Sequence, residues 1–132
     1  MNRKKEKLIV YRIIKRLGLK KCNSKFKYWK KRKKIIFKWD GAGIDKNDSI
    51  FLIEAELSNP ISWHIECHIN RVWVMISCGE KVKKLVWVTY SYNYKKLRSI
   101  VDTWLNYFSP ICSLKFPQVE YRTPDGTPLF SV

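Results

Sequence analysis

Residues 35–56 read IIFKWDGAGIDKNDSIFLIEAE, and this stretch decides the predicted fold. It contains two apolar runs that end in charged residues: Lys38 and Asp40 close the first run, and Glu54 and Glu56 close the second. Residues two apart on a strand project to the same side, so each charged pair shares one face. The segment between the runs, residues 41–48, is rich in Gly, Asn and Asp and predicts a hairpin connection. Such a hairpin would bring three carboxylates and one ammonium group together.

Carboxylates that cluster at the ends of apolar strands repel one another and lose hydration. A divalent cation relieves both penalties, and magnesium prefers a few carboxylate oxygens together with waters and phosphate oxygens. The pattern therefore predicts that Asp40, Glu54 and Glu56 bind Mg²⁺ or Mn²⁺. The alternative places Glu54 and Glu56 on the wet face of an edge strand. The apolar residues 50–53 disfavour it, because they indicate a strand that is covered on both sides.

The net charge of +16 lies in the first third of the 132-residue chain. Residues 1–38 contain 17 of the 27 Lys and Arg residues and one of the 11 acids, whereas residues 39–132 are neutral overall. Such an asymmetry favours a polyanionic partner, with nucleic acid ahead of an acidic membrane surface. The densest part is the connection between two predicted strands, a positive tip that would bind a phosphate backbone or would simply be solvated. This tip comprises Lys30, Lys31, Arg32, Lys33 and Lys34.

Length and composition predict a single globular domain over residues 1–132, since 45% of the residues are hydrophobic. No apolar run approaches the roughly 20 residues of a membrane span, and no signal-peptide core follows the basic N-terminus. We therefore expect a cytoplasmic protein. The four cysteines form no CxxC pair and are expected to be free, buried thiols.

Apolar periodicity predicts the order helix, three strands, helix, strand, helix, strand. A helical crossover between the third and fourth strands implies that these two strands are parallel. The sequence therefore predicts an α/β fold of the α+β type, in which helices flank a mixed sheet. The predicted helices cover residues 3–17, 58–77 and 94–108. The predicted strands cover residues 25–30, 34–40, 49–57 and 85–90, and a Pro-interrupted edge strand covers residues 113–116 and 119–121.

This order, with Asp40 ending the second strand and the acid pair on the third, resembles the PD-(D/E)XK nuclease superfamily. The resemblance covers residues 3–108 and implies a restriction-endonuclease-like fold. It also implies that Asp40 and Glu54 hold magnesium, and that Glu56, at the third motif position, activates or positions water. The size and basicity are also similar to those of archaeal Holliday-junction resolvases, whose detailed motifs are not matched.

The chain departs from the superfamily pattern at two positions. Trp39 stands where the superfamily often has Pro, and Glu56 stands where it usually has Lys. Some restriction endonucleases of the superfamily carry Glu-x-Glu there. In others the lysine has migrated, and Lys38, on the same face as Asp40, is the candidate replacement.

Three further residues are possible members of the site. Glu6 matches the first-helix Glu that joins the metal site in several nucleases of the superfamily, or it is an ordinary surface charge. His64, in the first turns of the helix after the acid pair, could contact a phosphate or a water. Arg71, further along that helix, binds phosphate or is solvated. His64, Cys67 and His68 could also bind zinc, but no fourth ligand is evident and a packing role is the better interpretation of His68.

Together these features predict a magnesium-dependent DNA endonuclease whose basic first third binds the DNA backbone. The alternative is a catalytically inactive DNA-binding protein with a nuclease-like fold, because Glu56 replaces the usual lysine. A third interpretation, membrane-surface binding by residues 1–20, ranks below both. Cutting both strands would favour a homodimer.

Overall fold

The computed structural model describes residues 3–130, which form three helices and eight strands. Along the chain these are α1 (Arg3–Arg16), β1 (Lys20–Lys21), β2 (Lys25–Lys30), β3 (Lys33–Lys38), β4 (Gly41–Ile44), β5 (Ile50–Ala55), α2 (Ser62–Ser77), β6 (Val82–Val88), α3 (Ser91–Phe108), β7 (Gln118–Arg122) and β8 (Pro128–Leu129). No helix within the described residues has both the length and the apolar character needed to cross a membrane.

Six of the strands form one mixed sheet in the order β1-β4-β5-β6-β7-β8. The neighbours β1, β4 and β5 are antiparallel, whereas β5, β6 and β7 are parallel because α2 and α3 cross over between them. The predicted α+β class and the mixed sheet with flanking helices are therefore confirmed. The strands β5 and β6 lie at the centre, and the last four residues of β6 are fully buried.

Helices cover both faces of this sheet. α2 and α3 pack on one face, where their apolar side chains meet Leu52, Leu85 and Trp87. α1 packs on the other face, where Ile9, Val10, Ile13 and Ile14 meet Ile53, Val86 and Val88. Each fully buried aliphatic side chain contributes about 1.5–3 kcal/mol relative to exposure, so both interfaces hold the central strands in place.

The close contact between α1 and β4 depends on glycine. A Cβ atom at Gly41 would lie 2.1 Å from Cγ1 of Val10, so a larger residue fits only if the Val10 side chain or the helix moves. The far end of α1 is held by the turn before β8, because Arg12 and Arg16 donate hydrogen bonds to the carbonyl oxygens of Pro124 and Asp125. The two contacts hold α1 across the sheet and bring its first turn toward the start of β4.

The prediction for the first two strands was wrong in one respect. β2 and β3 pair with each other as a separate two-stranded sheet, and the residues predicted as a turn, Gly41–Ile44, form the strand β4 of the main sheet. Five strands therefore precede α2 where the predicted order had three. The β2–β3 hairpin alternates apolar and lysine residues, so only one of its faces can be buried. The strand β4 is enclosed on both faces, and its small residues allow the close packing.

Other boundaries also differ from the predictions. α2 begins at Ser62 rather than after Ser58, and its N-cap Ile61 provides no side-chain hydrogen bond. α3 begins at Ser91, so Asn93 lies inside it and donates instead to the Ser58 carbonyl oxygen at 3.4 Å. Residues 113–116 form no strand, and β7 is an inner strand because β8 pairs with it at the edge. The cysteines are free as predicted but are not buried, since two are half-buried and two are exposed.

Candidate active site

The carboxylates of Asp40 and Glu54 each accept a hydrogen bond from a backbone amide next to or within the other residue. Asp40 lies between β3 and β4, and the pairing of Gly41 with Ile53 places it beside the carboxyl end of β5. The Asp40 N–H donates to Oε1 of Glu54 at 2.9 Å, and the Ala55 N–H donates to Oδ2 of Asp40 at 2.8 Å. The two carboxylates are thus fixed side by side at the end of the central strands.

His68 binds the other oxygen of Glu54 from α2. Its Nε2 contacts Oε2 of Glu54, and its Nδ1 donates to the His64 carbonyl oxygen at 2.8 Å. A carbonyl oxygen can only accept, so Nδ1 carries a proton and the Nε2 contact needs a second proton to be attractive. Burial lowers the pKa of His68, but its hydrogen bond to Glu54, the Glu54 charge and the His64 carbonyl together raise it above the ordinary value. The contact therefore holds one proton between Nε2 of His68 and Oε2 of Glu54.

Glu56 follows directly after the end of β5, two residues beyond Glu54. It is 5% exposed, its N–H continues the sheet by donating to the Val88 carbonyl oxygen, and its Oε2 lies 3.4 Å from Nδ1 of His64. Glu54 raises the pKa of both Asp40 and Glu56, whereas those two acids exert no resolved effect on each other. Glu54 is thus the acid whose charge acts on both of the others.

The crowding of the acids raises the pKa of two of them toward neutral pH. Burial and then the charge of Glu54 raise the pKa of Asp40 to about 7, with a smaller contribution from Glu6 and an opposing hydrogen bond from Ala55. The Asp40 side chain is nevertheless exposed on the side that faces a cleft. Burial and then Glu54 raise the pKa of Glu56 to about 7. Paired titratable groups with such shifts are typical of functional sites.

A cleft of about 480 Å³ opens beside Asp40. Glu6 from the first turn of α1 is half-buried in its wall, which places this residue near Asp40 although nothing in the sequence required it. Three basic side chains line the same cleft: Arg3, Lys7 and Lys38. Lys38 and Asp40 therefore share one cavity, and Glu6, Asp40, Glu54 and Glu56 form what we call the acid row.

The remaining predicted site residues lie around this row. Burial and then the charge of His68 lower the pKa of His64, whose side chain is 43% exposed. Arg71 lies over the ring of Phe37 at 5.7 Å and so contacts the β2–β3 hairpin rather than the acids. The basic tip, residues 30–34, is fully exposed at the far end of that hairpin from Asp40.

Two of the predicted metal ligands, Asp40 and Glu54, lie side by side. Within residues 3–130 no group of three or more His, Cys, Asp or Glu side chains is disposed to hold a metal ion as the side chains stand, which covers both the Asp40–Glu54–Glu56 set and the His64–Cys67–His68 set. Magnesium is commonly bound by one or two carboxylates together with waters and substrate phosphates. The adjacent Asp40 and Glu54 meet that requirement, whereas these described residues form no closed zinc site.

The part of His68 in this site was not predicted from the sequence. The rings of Trp39 and Trp87 lie 5.5 Å and 5.9 Å from its imidazole, so an aromatic wall encloses it. The available signal was its spacing of four from His64 on a helix that follows the acid pair. Local sequence does not show that this helix lies over the end of β5.

Comparison of the chain with protein-family models, with curated proteins and with solved structures finds no match. The residues of the site are therefore interpreted from their own geometry and chemistry.

Proposed function

We propose that this protein is a magnesium- or manganese-dependent DNA endonuclease with a restriction-endonuclease-like fold. The observation that carries the proposal is the fixed pair of Asp40 and Glu54, whose carboxylates lie side by side at the end of the central strands. Charged groups held in this way are costly unless a ligand neutralises them. The resemblance to the PD-(D/E)XK superfamily, in which corresponding acids hold the metal, supports the same conclusion.

In this proposal Asp40 and Glu54 would hold the metal, which when bound would neutralise the phosphate charge and lower the pKa of a water. The protein positions the two carboxylates. The Ala55 N–H fixes Asp40, and His68 together with the Asp40 N–H fixes Glu54. Such outer contacts usually orient the ligands of a metal site.

Two further residues are assigned to the attacking water. Glu56, the buried acid two residues after Glu54, is assigned as the group that accepts a proton from the water. Lys38 lines the cleft beside Asp40, where an ammonium group would position the water or stabilise the phosphate. Water attacks phosphorus, the bond to the leaving oxygen breaks, and a proton from solvent restores that oxygen as a hydroxyl group.

DNA binding is assigned to the basic side chains around the acid row. Arg3, Lys7 and Lys38 line the cleft itself, and the tip, residues 30–34, extends the positive surface along the hairpin. Positive charge on both sides of an acidic centre allows the DNA backbone to approach carboxylates that would otherwise repel it. A homodimer that presents two such clefts would cut both strands, and sedimentation analysis with and without DNA tests that part of the proposal.

The decisive experiment is cleavage of plasmid, single-stranded and branched DNA in Mg²⁺, Mn²⁺ or EDTA. The parent should cleave only with metal, and Asp40→Asn and Glu54→Gln should each lower the rate by at least about 10²-fold, as loss of a charge-stabilising group does. Asp102→Asn is the matched control, because this 55%-exposed acid lies on α3 in a surface pair with Arg98. Cleavage that survives both active-site substitutions would refute the assignment.

An inactive DNA-binding protein is the second candidate, and a specific observation favours it. Both oxygens of Glu54 already have partners, namely the Asp40 N–H and His68, so a metal would have to share or displace them. This candidate predicts salt-dependent DNA binding with no cleavage, and no increase in melting temperature when Mg²⁺ or Mn²⁺ is added to the free protein.

A further inference from the structure

The β2–β3 hairpin has two unlike faces. Directly opposed residues share a face, and the register pairs Phe26 with Phe37 and Tyr28 with Ile35. These four residues are half-buried, whereas their neighbours along each strand are exposed. The exposed set defines what we call the outer face: Lys25, Lys27, Trp29, Lys34, Ile36 and Lys38.

The inner face anchors the hairpin to α2 and to the segment that follows it. The hydroxyl of Tyr28 donates to Oε1 of Glu80 at 3.1 Å, the guanidinium of Arg71 lies over the Phe37 ring, and Phe26, Tyr28 and Phe37 pack against the main core. The hairpin is therefore a fixed arm. Whatever binds its outer face is held in a set position relative to the sheet.

The outer face combines positive charge with an exposed aromatic platform. Trp29 is 71% exposed and Ile36 is 51% exposed, and the register makes them diagonal neighbours on this face. Four lysines surround them, and no acid occurs between Lys25 and Lys38. If two copies of the protein associated through this face, eight lysines would oppose one another. Charge repulsion therefore disfavours self-association through it.

Unpaired nucleotides match this combination better than paired ones. Every base has a flat face that stacks on an aromatic side chain, but in a duplex that face is covered by the neighbouring base pairs. Lysines beside the ring then bind the phosphates of the same strand. We infer that the outer face binds single-stranded nucleotides of DNA, with one base stacked on Trp29, and therefore that the substrate contains an unpaired segment, as a branch, flap or single strand does.

The position of the arm relates this contact to the acid row. Trp29 is paired with Lys34, and Lys38, four residues further along the same strand, lines the cleft with Asp40. Four strand residues span about 13 Å. A strand stacked on Trp29 would thus reach the cleft a few nucleotides away. This link to a substrate rests on the proposed nuclease function, whereas binding to unpaired nucleotides does not.

The test is equilibrium binding in EDTA, which requires no cleavage. The probes are fluorescein-labelled (dT)₂₀ and a blunt 20-base-pair duplex, followed by anisotropy. Trp29→Ala should weaken binding of (dT)₂₀ by about 5- to 150-fold, the loss of one base–aromatic stack, and change duplex binding less than about twofold. Trp29→Phe should keep most of the affinity because it retains a ring. Phe130→Ala is the matched control, since Phe130 is 77% exposed next to the edge strand β8.

The outcomes separate this inference from the nuclease proposal. Selective loss of (dT)₂₀ binding in Trp29→Ala supports the inference even if the protein cleaves no DNA. An equal effect of Trp29→Ala on both probes, or no effect on either, overturns it even if metal-dependent cleavage is found. Circular dichroism verifies the fold of each variant, and the exposed position of Trp29 makes misfolding of the substituted protein a minor concern.

Discussion

His68 and Glu54 form a buried hydrogen-bonded pair that supports the acid row from the side of α2. Both residues are almost fully buried, at 4% and 6% exposure, and the second imidazole nitrogen is occupied by the His64 carbonyl oxygen. A buried carboxyl group that loses its hydrogen-bonded partner keeps its desolvation penalty. The pair is therefore as much a condition for folding as for any chemistry at the site.

Removal of the imidazole should destabilise the protein strongly. We expect His68→Ala to lower the free energy of unfolding by about 3 kcal/mol, the cost of breaking a buried pair from one side. His64→Ala should cost less than about 1 kcal/mol, because its contact with Glu56 is longer and half-exposed. Urea unfolding followed by circular dichroism measures both values, and equal losses in the two variants would contradict the buried-pair assignment.

Without metal, stability should fall as the pH rises from 5 to 8. The pKa values of Asp40 and Glu56, raised to about 7 from ordinary values of 3.8 and 4.5, mean that the folded state holds protons which the unfolded state has already released. Their contribution is fully present below about pH 4 and is lost as the pH rises through 7. The raised pKa of His68 acts in the same direction above 6.5, whereas the lowered pKa of the half-exposed His64 acts weakly in the opposite direction below 6.5.

Glu56→Gln provides the matching variant for this pH dependence. It deletes one of the shifted carboxyls, so its urea midpoint at pH 8 should exceed that of the parent and its decline between pH 5 and 8 should be shallower. Asp102→Asn should leave the decline unchanged. If the urea midpoints of the parent and of Glu56→Gln fall in parallel with pH, the pKa of Glu56 is not raised in the folded protein. In the nuclease proposal the same substitution should abolish cleavage and leave DNA binding intact or tighter.

Gly41→Ala should destabilise the fold because the new methyl group would overlap Val10. Overpacking of this kind costs about 1–3 kcal/mol. Val10→Ala removes the Cγ1 atom that is approached most closely, so the double variant should recover part of the loss, with a coupling energy of about 1–2 kcal/mol in a double-mutant cycle. Purely additive losses in urea unfolding would mean that α1 shifts freely over β4.

The tip of the hairpin should account for part of the salt dependence of DNA binding. Replacing Lys31, Arg32 and Lys33 with Gln should reduce the slope of log affinity against log salt by up to about 3, one unit for each phosphate that the protein no longer binds. The control replaces Lys46, Lys81 and Lys83 with Gln. These substitutions change the net charge equally, and the three residues lie at the opposite end of the sheet from Asp40. Identical slopes for the two triple variants would exclude the tip from the DNA interface.

Much of this architecture follows from local sequence. The helical spacing of apolar residues locates α1, α2 and α3 to within a few residues, and unbroken apolar runs identify β5 and β6 as buried strands. The adjacency of Asp40 and Glu54 was also predictable, because a short antiparallel connection returns the chain to the same place. These features depend on side-chain periodicity and chain reach, which are properties of the sequence itself.

The tertiary structure decided the rest. Gly41–Ile44 have the composition of a turn, but they form a strand because they pair with β1 and β5, and α1 lies so close over them that a Cβ at Gly41 would overlap Val10. β2 and β3 have the composition of strands of the main sheet, but they form a separate arm because only one of their faces packs against the rest of the protein. His68 and Glu6 join the acids only because α2 and α1 cross the ends of β5 and β4. Local propensity cannot specify which surface covers a segment, and that covering surface determined each of these outcomes.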